Sequence, residues 1–419
     1  MNASSRSPHP FFAWTLVVAL AGCKAGTGEE GSSSGEASET GETGETGDIG
    51  TTGDLQPVCT DKAGEPGVLQ WERSGLAYDD TVNDAVLTTT VALDIVHAGS
   101  RGGKMFVEAV DANGGPRWSV EHAGEGARDT WPLDAAADAT GAVHILAYEW
   151  VDKPGLDGRL VVLRYSPGGV FEWRWERPNP PAVNSGSYMP RGAITVTGEE
   201  IHVVEVNTGG PIVLLRLDTS QTLLAETSLA TPTDFGNDVR PDFAPDGAPV
   251  VATLGWIGRF TRDGDLVWSD DPGELRPAVV VAGRDGDAFM VGYTFSPSGH
   301  ETSLRHYTGD GSVAWTTPLP PVTVYAGARG GADCDTALLL GGGLPNEAYS
   351  FEDLWVGGFA DDGTPLWEFA PVFAEPDSHG AALNLAVTHE GDAAILGYYA
   401  HGMPGMIESF PWLARVSGD

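Results

Sequence analysis

Basic residues are scarce in this chain. Its 419 residues hold 23 Lys and Arg against 59 Asp and Glu, a formal net charge of −36. Nucleic acid and anionic lipid surfaces recruit basic patches, so neither is expected as a direct partner. The simplest reading of the acidity is solubility, with cation binding as the alternative. Cysteine is also scarce, at three residues, too few for a disulfide scaffold. No long stretch carries helical periodicity, which argues against a helical bundle. The apolar run Phe11–Leu20 is ten residues long, too short to span a bilayer as a helix.

Catalytic and metal motifs are missing in the same way. His300-Glu301 and His389-Glu390 have Leu304 and Ala393 where a zinc-binding helix needs its second histidine. Asp263-Gly264-Asp265 and Asp285-Gly286-Asp287 lack the full calcium-loop spacing and read as β-turns. Gly341-Gly342-Gly343 has no strand–loop–helix context for a phosphate cradle. Gly31-Ser32-Ser33-Ser34-Gly35 has the lettering of a hydrolase nucleophile turn without the strand and helix that the chemistry requires. His379 and His401, with Glu375 or Asp377, form the one set suited to proton transfer. No catalytic residue, metal site or cofactor is assigned from the sequence.

Glycine (57) and tryptophan (13) are abundant, and together they form a repeat. Leu304-Arg-His-Tyr-Thr-Gly-Asp-Gly-Ser-Val-Ala-Trp315 has counterparts at Val107–Trp118, Val162–Trp173, Ile257–Trp268 and Val356–Trp367. In each, a tryptophan follows four residues after a glycine. The tryptophan column runs Trp71, Trp118, Trp173, Leu224 as nearest equivalent, Trp268, Trp315 and Trp367, with steps of 47, 55, 51, 44, 47 and 52. Leu224 is the weakest member, because its turn Asp218-Thr219-Ser220-Gln221 has no glycine. A second motif alternates with the first: apolar strand, Gly/Asp turn, apolar strand, as in Ala278–Tyr293 and Leu385–Tyr399. Two hairpins per unit make a four-stranded sheet, and glycine and aspartate suit the hairpin turns. A period near 50 with four short strands per unit predicts an all-β, seven-bladed β-propeller of four-stranded antiparallel blades. The chain stops part-way through a tryptophan motif, and Gly67–Trp71 is the missing half. The N-terminal strand is therefore expected to pair into the last blade and close the ring, leaving no open array edges. The repeated tryptophans invite a stacking role toward glycans; the simpler reading packs each one between neighbouring blades.

Ahead of the repeats, Arg6 precedes the apolar run, which ends in Leu20-Ala21-Gly22-Cys23. This resembles the lipobox of bacterial lipoproteins, which implies a signal peptide over 1–22 and acyl chains on Cys23. Lys24 after that cysteine implies outer-membrane sorting. Residues 24–56 are Gly, Ser, Thr and Glu rich and unable to form a core, hence a disordered tether of roughly 30–35 Å end to end. The domain over 57–419 carries a formal charge of about −30. Over residues 67–419 the pattern resembles the seven-bladed propeller repeats of secreted bacterial proteins. It also looks like quinoprotein-type repeats, although the adjacent cysteine pair of quinone-dependent alcohol dehydrogenases is missing.

The hairpin turns should share one face of the ring and the longer connections the other. Long loops on a rigid scaffold are the usual carriers of binding. Trp150, Tyr188, Met189, Phe235, Tyr349, Phe351, Phe373, Met403 and Met406 fall on those connections and form the candidate binding surface; the simpler reading packs them under their own loops. Cys59 and Cys334 are a candidate disulfide that would staple the closing strand, against a buried free thiol or an intermolecular contact. The expected protein is a monomeric propeller, lipid-anchored at the outer membrane on its periplasmic or surface side. It is read as a non-catalytic binding or scaffolding module for a protein or glycan. The alternative is an enzyme at the axial mouth: a lyase, a glycan hydrolase or a quinone-dependent oxidoreductase.

Overall fold

The computed structural model describes residues 65–74, 76, 85–126, 128–150, 158–178, 191–206, 211–232, 239–296, 299–330, 334–346, 351–371, 378–401 and 408–418. These form seven four-stranded antiparallel sheets. The first strand, β1 (Leu69–Ser74), stands apart from its neighbours in sequence. Blade 1 follows with β2 (Val86–Thr89), β3 (Ile95–Arg101), β4 (Lys104–Val110) and β5 (Pro116–His122). Blade 2 holds β6 (Asp129–Ala137), β7 (Val143–Trp150), β8 (Arg159–Tyr165) and β9 (Phe171–Glu176). Blade 3 holds β10 (Arg191–Thr197), β11 (Glu200–Val206), β12 (Ile212–Asp218) and β13 (Leu223–Ser228). Blade 4 holds β14 (Arg240–Phe243), β15 (Pro249–Thr253), β16 (Trp256–Phe260) and β17 (Leu266–Asp270). Blade 5 holds β18 (Arg276–Ala282), β19 (Ala288–Ser296), β20 (Gly299–Tyr307) and β21 (Val313–Pro318). Blade 6 holds β22 (Thr323–Arg329), β23 (Leu338–Asn346), β24 (Phe351–Phe359) and β25 (Pro365–Phe369). Blade 7 takes β26 (His379–Val387), β27 (Ala393–His401) and β28 (Glu408–Val416), and its outermost strand is β1.

The first strands of neighbouring blades pack against one another around an axis, β2 to β6 and on through β26 back to β2. This is a closed seven-bladed β-propeller, as the repeat predicts. Closure is made by β1, which pairs antiparallel with β28 from Leu69 opposite Val416 to Ser74 opposite Trp412. Backbone bonds from Gly67 N to Ser417 O (2.8 Å) and from Ser417 N to Val68 O (2.9 Å) extend that pairing to the end of β28. Among the described residues, the hairpin turns within both motifs lie at the end of the strands where this junction stands, and the strand ends that lead into the longer connections point to the other face. The Asp-Gly-Asp spots are turns of that first face, as Gly264 N to Thr261 O (2.9 Å) shows.

Second strands are sheathed on both sides, so they are mainly apolar along their length, interrupted in β3, β7 and β11 by buried groups such as His97, His144 and His202. Every residue of β7 and β15 is buried. The core lies between blades: Val143, Ile145 and Val161 of blade 2 pack with Val96, Val107 and Ala109 of blade 1. Each such buried Val or Ile contributes about 1.5–3 kcal/mol over its exposed state. Outermost strands such as β13 and β21 alternate half-buried and exposed positions, as half-solvated strands must.

The tryptophan column sits on these outer strands and joins each blade to the next. Trp71 donates its indole N–H to Ala112 O (2.8 Å), Trp118 to Pro167 O (3.0 Å) and Trp315 to Asp361 O (3.1 Å). Each acceptor lies in the outer hairpin turn of the following blade. The glycine of that turn is needed twice over: Gly169 has φ +78°, and a Cβ there would stand 2.5 Å from the Trp118 ring. Blade 3 corrects the repeat by one residue. Ala225, not Leu224, pairs opposite Arg216, the register that Trp173 holds opposite Arg164 and Trp268 opposite Arg259. Leu224 faces solvent at 48% exposure. Charge replaces the ring at this junction. Arg216 reaches Asp263 in the next blade's turn, and Arg262 of that turn reaches back to Glu200 (2.9 Å). Burial alone would raise the Glu200 carboxyl, but the Arg216 and Arg262 guanidinium groups hold it below its usual range.

Among the described residues, two turns use non-glycine residues at positive φ, Leu93 (65°) and Gln221 (72°). Gln221 occupies the turn position that Gly169, Gly264 and Gly311 fill in other blades, and left-handed geometry costs a side-chain-bearing residue about 1–2 kcal/mol. Part of that is offset by the unfolded-state entropy of a new glycine. Gln221→Gly is expected to stabilise the protein by about 0.5–1 kcal/mol. Chemical denaturation checks this; a destabilised variant would show that the Gln221 side chain holds the turn.

Candidate functional site

Two regions could carry function: the axial channel and the face of long connections. The channel widens into spaces of about 460 and 530 Å³, whose walls share Leu133, Gly192, Arg240, Tyr325 and Asn384. Most of the wall is small or apolar, from Ala135 and Ala193 to Ala278 and Ala328. The charged groups are drawn from several first strands, and each is committed to a neighbour. First strands do not pair with one another, so their backbone edges would be left open. Asp134 of β6 closes one such gap: its carboxylate accepts from Ile194 N of β10 (2.8 Å) and from Ala135 N (2.8 Å). Asp242 of β14 accepts from Ala282 N of β18 (2.8 Å). Arg240 donates to Ala278 O (2.6 Å) and Val239 O (3.2 Å). Thr89 of β2 donates to Val387 O of β26 (2.7 Å). Tyr325 donates to Glu352 (2.8 Å), and Arg329 to Asp287 (3.2 Å), which also meets His306 Nε2 (3.1 Å).

Burial pushes Asp134 up to about 7 against the amide bonds that favour its charge, and the charge of Asp242 adds to the rise. Burial likewise pushes Asp242 up to about 6, opposed by the Ala282 and Phe243 amides and by Arg329. Both side chains retain some surface toward the channel, yet protein surrounds the carboxyl groups deeply enough that ionisation costs more than in open water. The folded protein thus holds a proton on Asp134 that the unfolded chain releases near 3.8. The stability this gives is full below about pH 4 and is lost as pH rises toward 7. Relative to Asp134→Asn, wild type should lose about 1–3 kcal/mol between pH 4 and 7. Parallel stability profiles for the two proteins across that window would refute the assignment.

On the other face, Phe295 at the end of β19 is 63% exposed and Leu254 in the β15–β16 turn is 48% exposed. The Tyr293 ring meets Phe295 edge-on at 5.3 Å, and the Arg276 guanidinium lies 4.8 Å from the Phe295 centroid. A space of about 330 Å³ lies between Leu254, Gly273, Glu274, Arg276 and Phe295. The spacing of Phe295 along β19 matches that of the buried Phe289 and Val291, so nothing in the sequence set it apart as exposed.

Among the sequence-derived candidates, Trp150 is described and is buried at 3% exposure, stacked on Trp131 at 5.1 Å. It packs in the core between blades 2 and 3 and offers no open surface, because β7 is sheathed along its whole length. Phe351 begins β24, and its side chain lies outside the description. Tyr188, Met189, Phe235, Tyr349, Phe373, Met403 and Met406 lie outside the described residues, as do Cys23, Cys59, Glu375 and Asp377. His379 is buried. Cys334 is disulfide-bonded; the other two cysteines of the sequence both lie outside the described residues. Its turn adjoins the ring closure, for Thr336 donates to Gly418 O (3.0 Å) and accepts from Trp367 (3.0 Å). Among the described residues no His, Cys, Asp and Glu group is arranged to hold a metal.

The sequence matches no protein-family model, and no curated protein matches it. The fold does have counterparts. A chain in the crystal structure of the Mitotic Checkpoint Complex superposes with a TM-score of 0.51 at 9% identity, covering 86% of this chain and 96% of its own. The WD40 domain of Neurospora crassa Pan2 superposes at 0.52 with 11% identity, covering 84% and 95%. At such identities the likeness carries the seven-bladed fold alone.

Proposed function

We propose that this protein is a non-catalytic binding module whose long-connection face meets a protein partner. The observation that carries this reading is the division of labour between the two regions. Charged side chains at the axis are occupied in holding first strands together, while Phe295, Leu254 and Arg276 stand exposed on the other face. Propellers host unrelated activities, so the argument rests on this surface and not on the fold.

The reading extends to the N-terminus. Lipidation of Cys23, a tether over 24–56 and an outer-membrane location together would hold the propeller away from the bilayer. The described chain enters at the hairpin-turn face through Gly67 and Val68, which supports a long-connection face directed outward. A bridge between Cys59 and Cys334 would pin that entry, supported by the position of the Cys334 turn against Gly418. Photo-cross-linkers installed in living cells at Leu254 and Phe295, and separately at Val170 and Leu266, test the face assignment. The reading expects one protein product from the first pair; the same product from the second pair alone would overturn it. Cys23→Ser should release the protein from the membrane fraction and abolish palmitate labelling, and retention with label would refute the anchor.

A further inference from the structure

We infer that the ledge between blades 4 and 5 receives a partner segment in which an apolar side chain is flanked by a carboxylate on one side and a cation on the other. The inference rests on the binding-module reading and gives that face a specific chemistry. Three observations lead to it.

The first is size and lining. The space between Leu254, Gly273, Glu274, Arg276 and Phe295 is about 330 Å³, room for one large aliphatic or aromatic side chain. Gly273 lines it with no side chain, and a Cβ there would meet nothing within 4 Å. Two of its lining residues, Leu254 and Phe295, are apolar groups more than 40% exposed, and exposed apolar groups gathered around one recess mark an interaction site more than scattered ones do.

The second is the arginine. The chain has 59 acids for 23 Lys and Arg, and most described arginines reach a carboxylate, as Arg159, Arg174 and Arg216 do. Arg276 reaches none among the described residues. Its guanidinium instead lies near the ring of Phe295, which leaves its hydrogen-bond donors available for a planar anion. A carboxylate placed there would be held beside an apolar surface, where an ion pair is screened less than in open water.

The third is Glu274, which lines the same recess and has no cationic partner among the described residues. Its charge repels a purely acidic ligand and favours a cation next to the buried side chain. An acidic–apolar–basic order therefore complements both charges at once, and like-charge neighbours exclude the alternatives.

End-blocked peptides test this with the full-length protein: Gly-Asp-Leu-Lys-Gly, with Asn in place of Asp, Ala in place of Leu, or Gln in place of Lys. Weak affinity is measured by NMR titration. The Leu to Ala change should weaken binding about tenfold, from loss of the buried side chain. The Asp to Asn and Lys to Gln changes should each weaken it about threefold. Arg276→Gln should abolish the preference for Asp over Asn while keeping the Leu preference, and Phe295→Ser should remove the Leu preference. Both substitutions are at exposed positions, so an unchanged thermal midpoint confirms folding. Equal affinity for all four peptides, or no response to either variant, overturns the inference. If the ledge fails this test and cross-linking at the long-connection face still yields one partner, the binding-module reading stands and only its assignment to this recess falls.

Discussion

Arg415→Ala is expected to destabilise the protein by about 3–5 kcal/mol, the cost of stranding a buried carboxylate. Arg415 is 3% exposed and Asp392 is fully buried. The guanidinium donates from Nε to Asp392 (2.7 Å), from Nη2 to Glu390, and from Nη1 to Ala112 O in blade 1 (2.9 Å). Asp392 also accepts from Gln70 of β1 (3.1 Å) and from Gly418 N (3.3 Å). One side chain thus ties the last blade to the first and to the closing strand. Replacing both partners, as Arg415→Met with Asp392→Leu, should recover much of the loss, because the buried carboxylate goes with its cation and Glu390, half-buried, keeps access to water. Chemical denaturation of the single and double variants checks this. A single variant within 1 kcal/mol of wild type would show that closure does not depend on this node.

Trp268→Ala carries the second large effect, about 3–5 kcal/mol. Trp268 is 7% exposed, stacks on Tyr307 of the next blade at 5.7 Å and 19°, and packs on Gly311, whose Cβ would lie 2.9 Å away. Its neighbour cannot collapse into the space, since Tyr307 is fully buried in the same interblade core. The loss should fall mainly on the junction of blades 4 and 5, where hydrogen exchange of β17 and β20 amides would speed up most. Trp315→Ala, at a partly exposed position, should cost less. Equal losses at the two sites would contradict a burial-based account.

The same interactions explain how much of the fold could be read from the chain. Trp and Gly recur because each pair is a contact between adjacent blades, so the repeat reports tertiary structure directly. Closure was legible for a related reason: Trp412–Asp419 and Gly67–Trp71 are two halves of one motif. Ala225 was missed by one position because Leu223 and Leu224 look like better substitutes for tryptophan than a methyl group. Only the register opposite Arg216 separates them, and the compensating contacts of Arg216 and Arg262 are far apart in sequence. The channel groups were missed too, though a signal existed. Asp is depleted from strands, and Asp134 and Asp242 each sit in an otherwise strand-like run. The exposure of Phe295 and the burial of Trp150 had no such signal, since both end strands on the same face and only neighbouring blades decide which is covered.

The face assignment rests on β1 entering blade 7 from the hairpin-turn side, and circular permutation tests that most directly. Joining Gly418 to Glu65 through a short linker and opening the chain between Ser74 and Ala85 keeps every blade intact, while deleting residues 65–74 removes the closing strand. The permutant should denature within about 1 kcal/mol of wild type, because closing so short a junction adds little entropy cost, and the deletion should lose cooperative unfolding. A deletion variant as stable as wild type, or a permutant that does not fold, would contradict closure by the first strand and the orientation built on it.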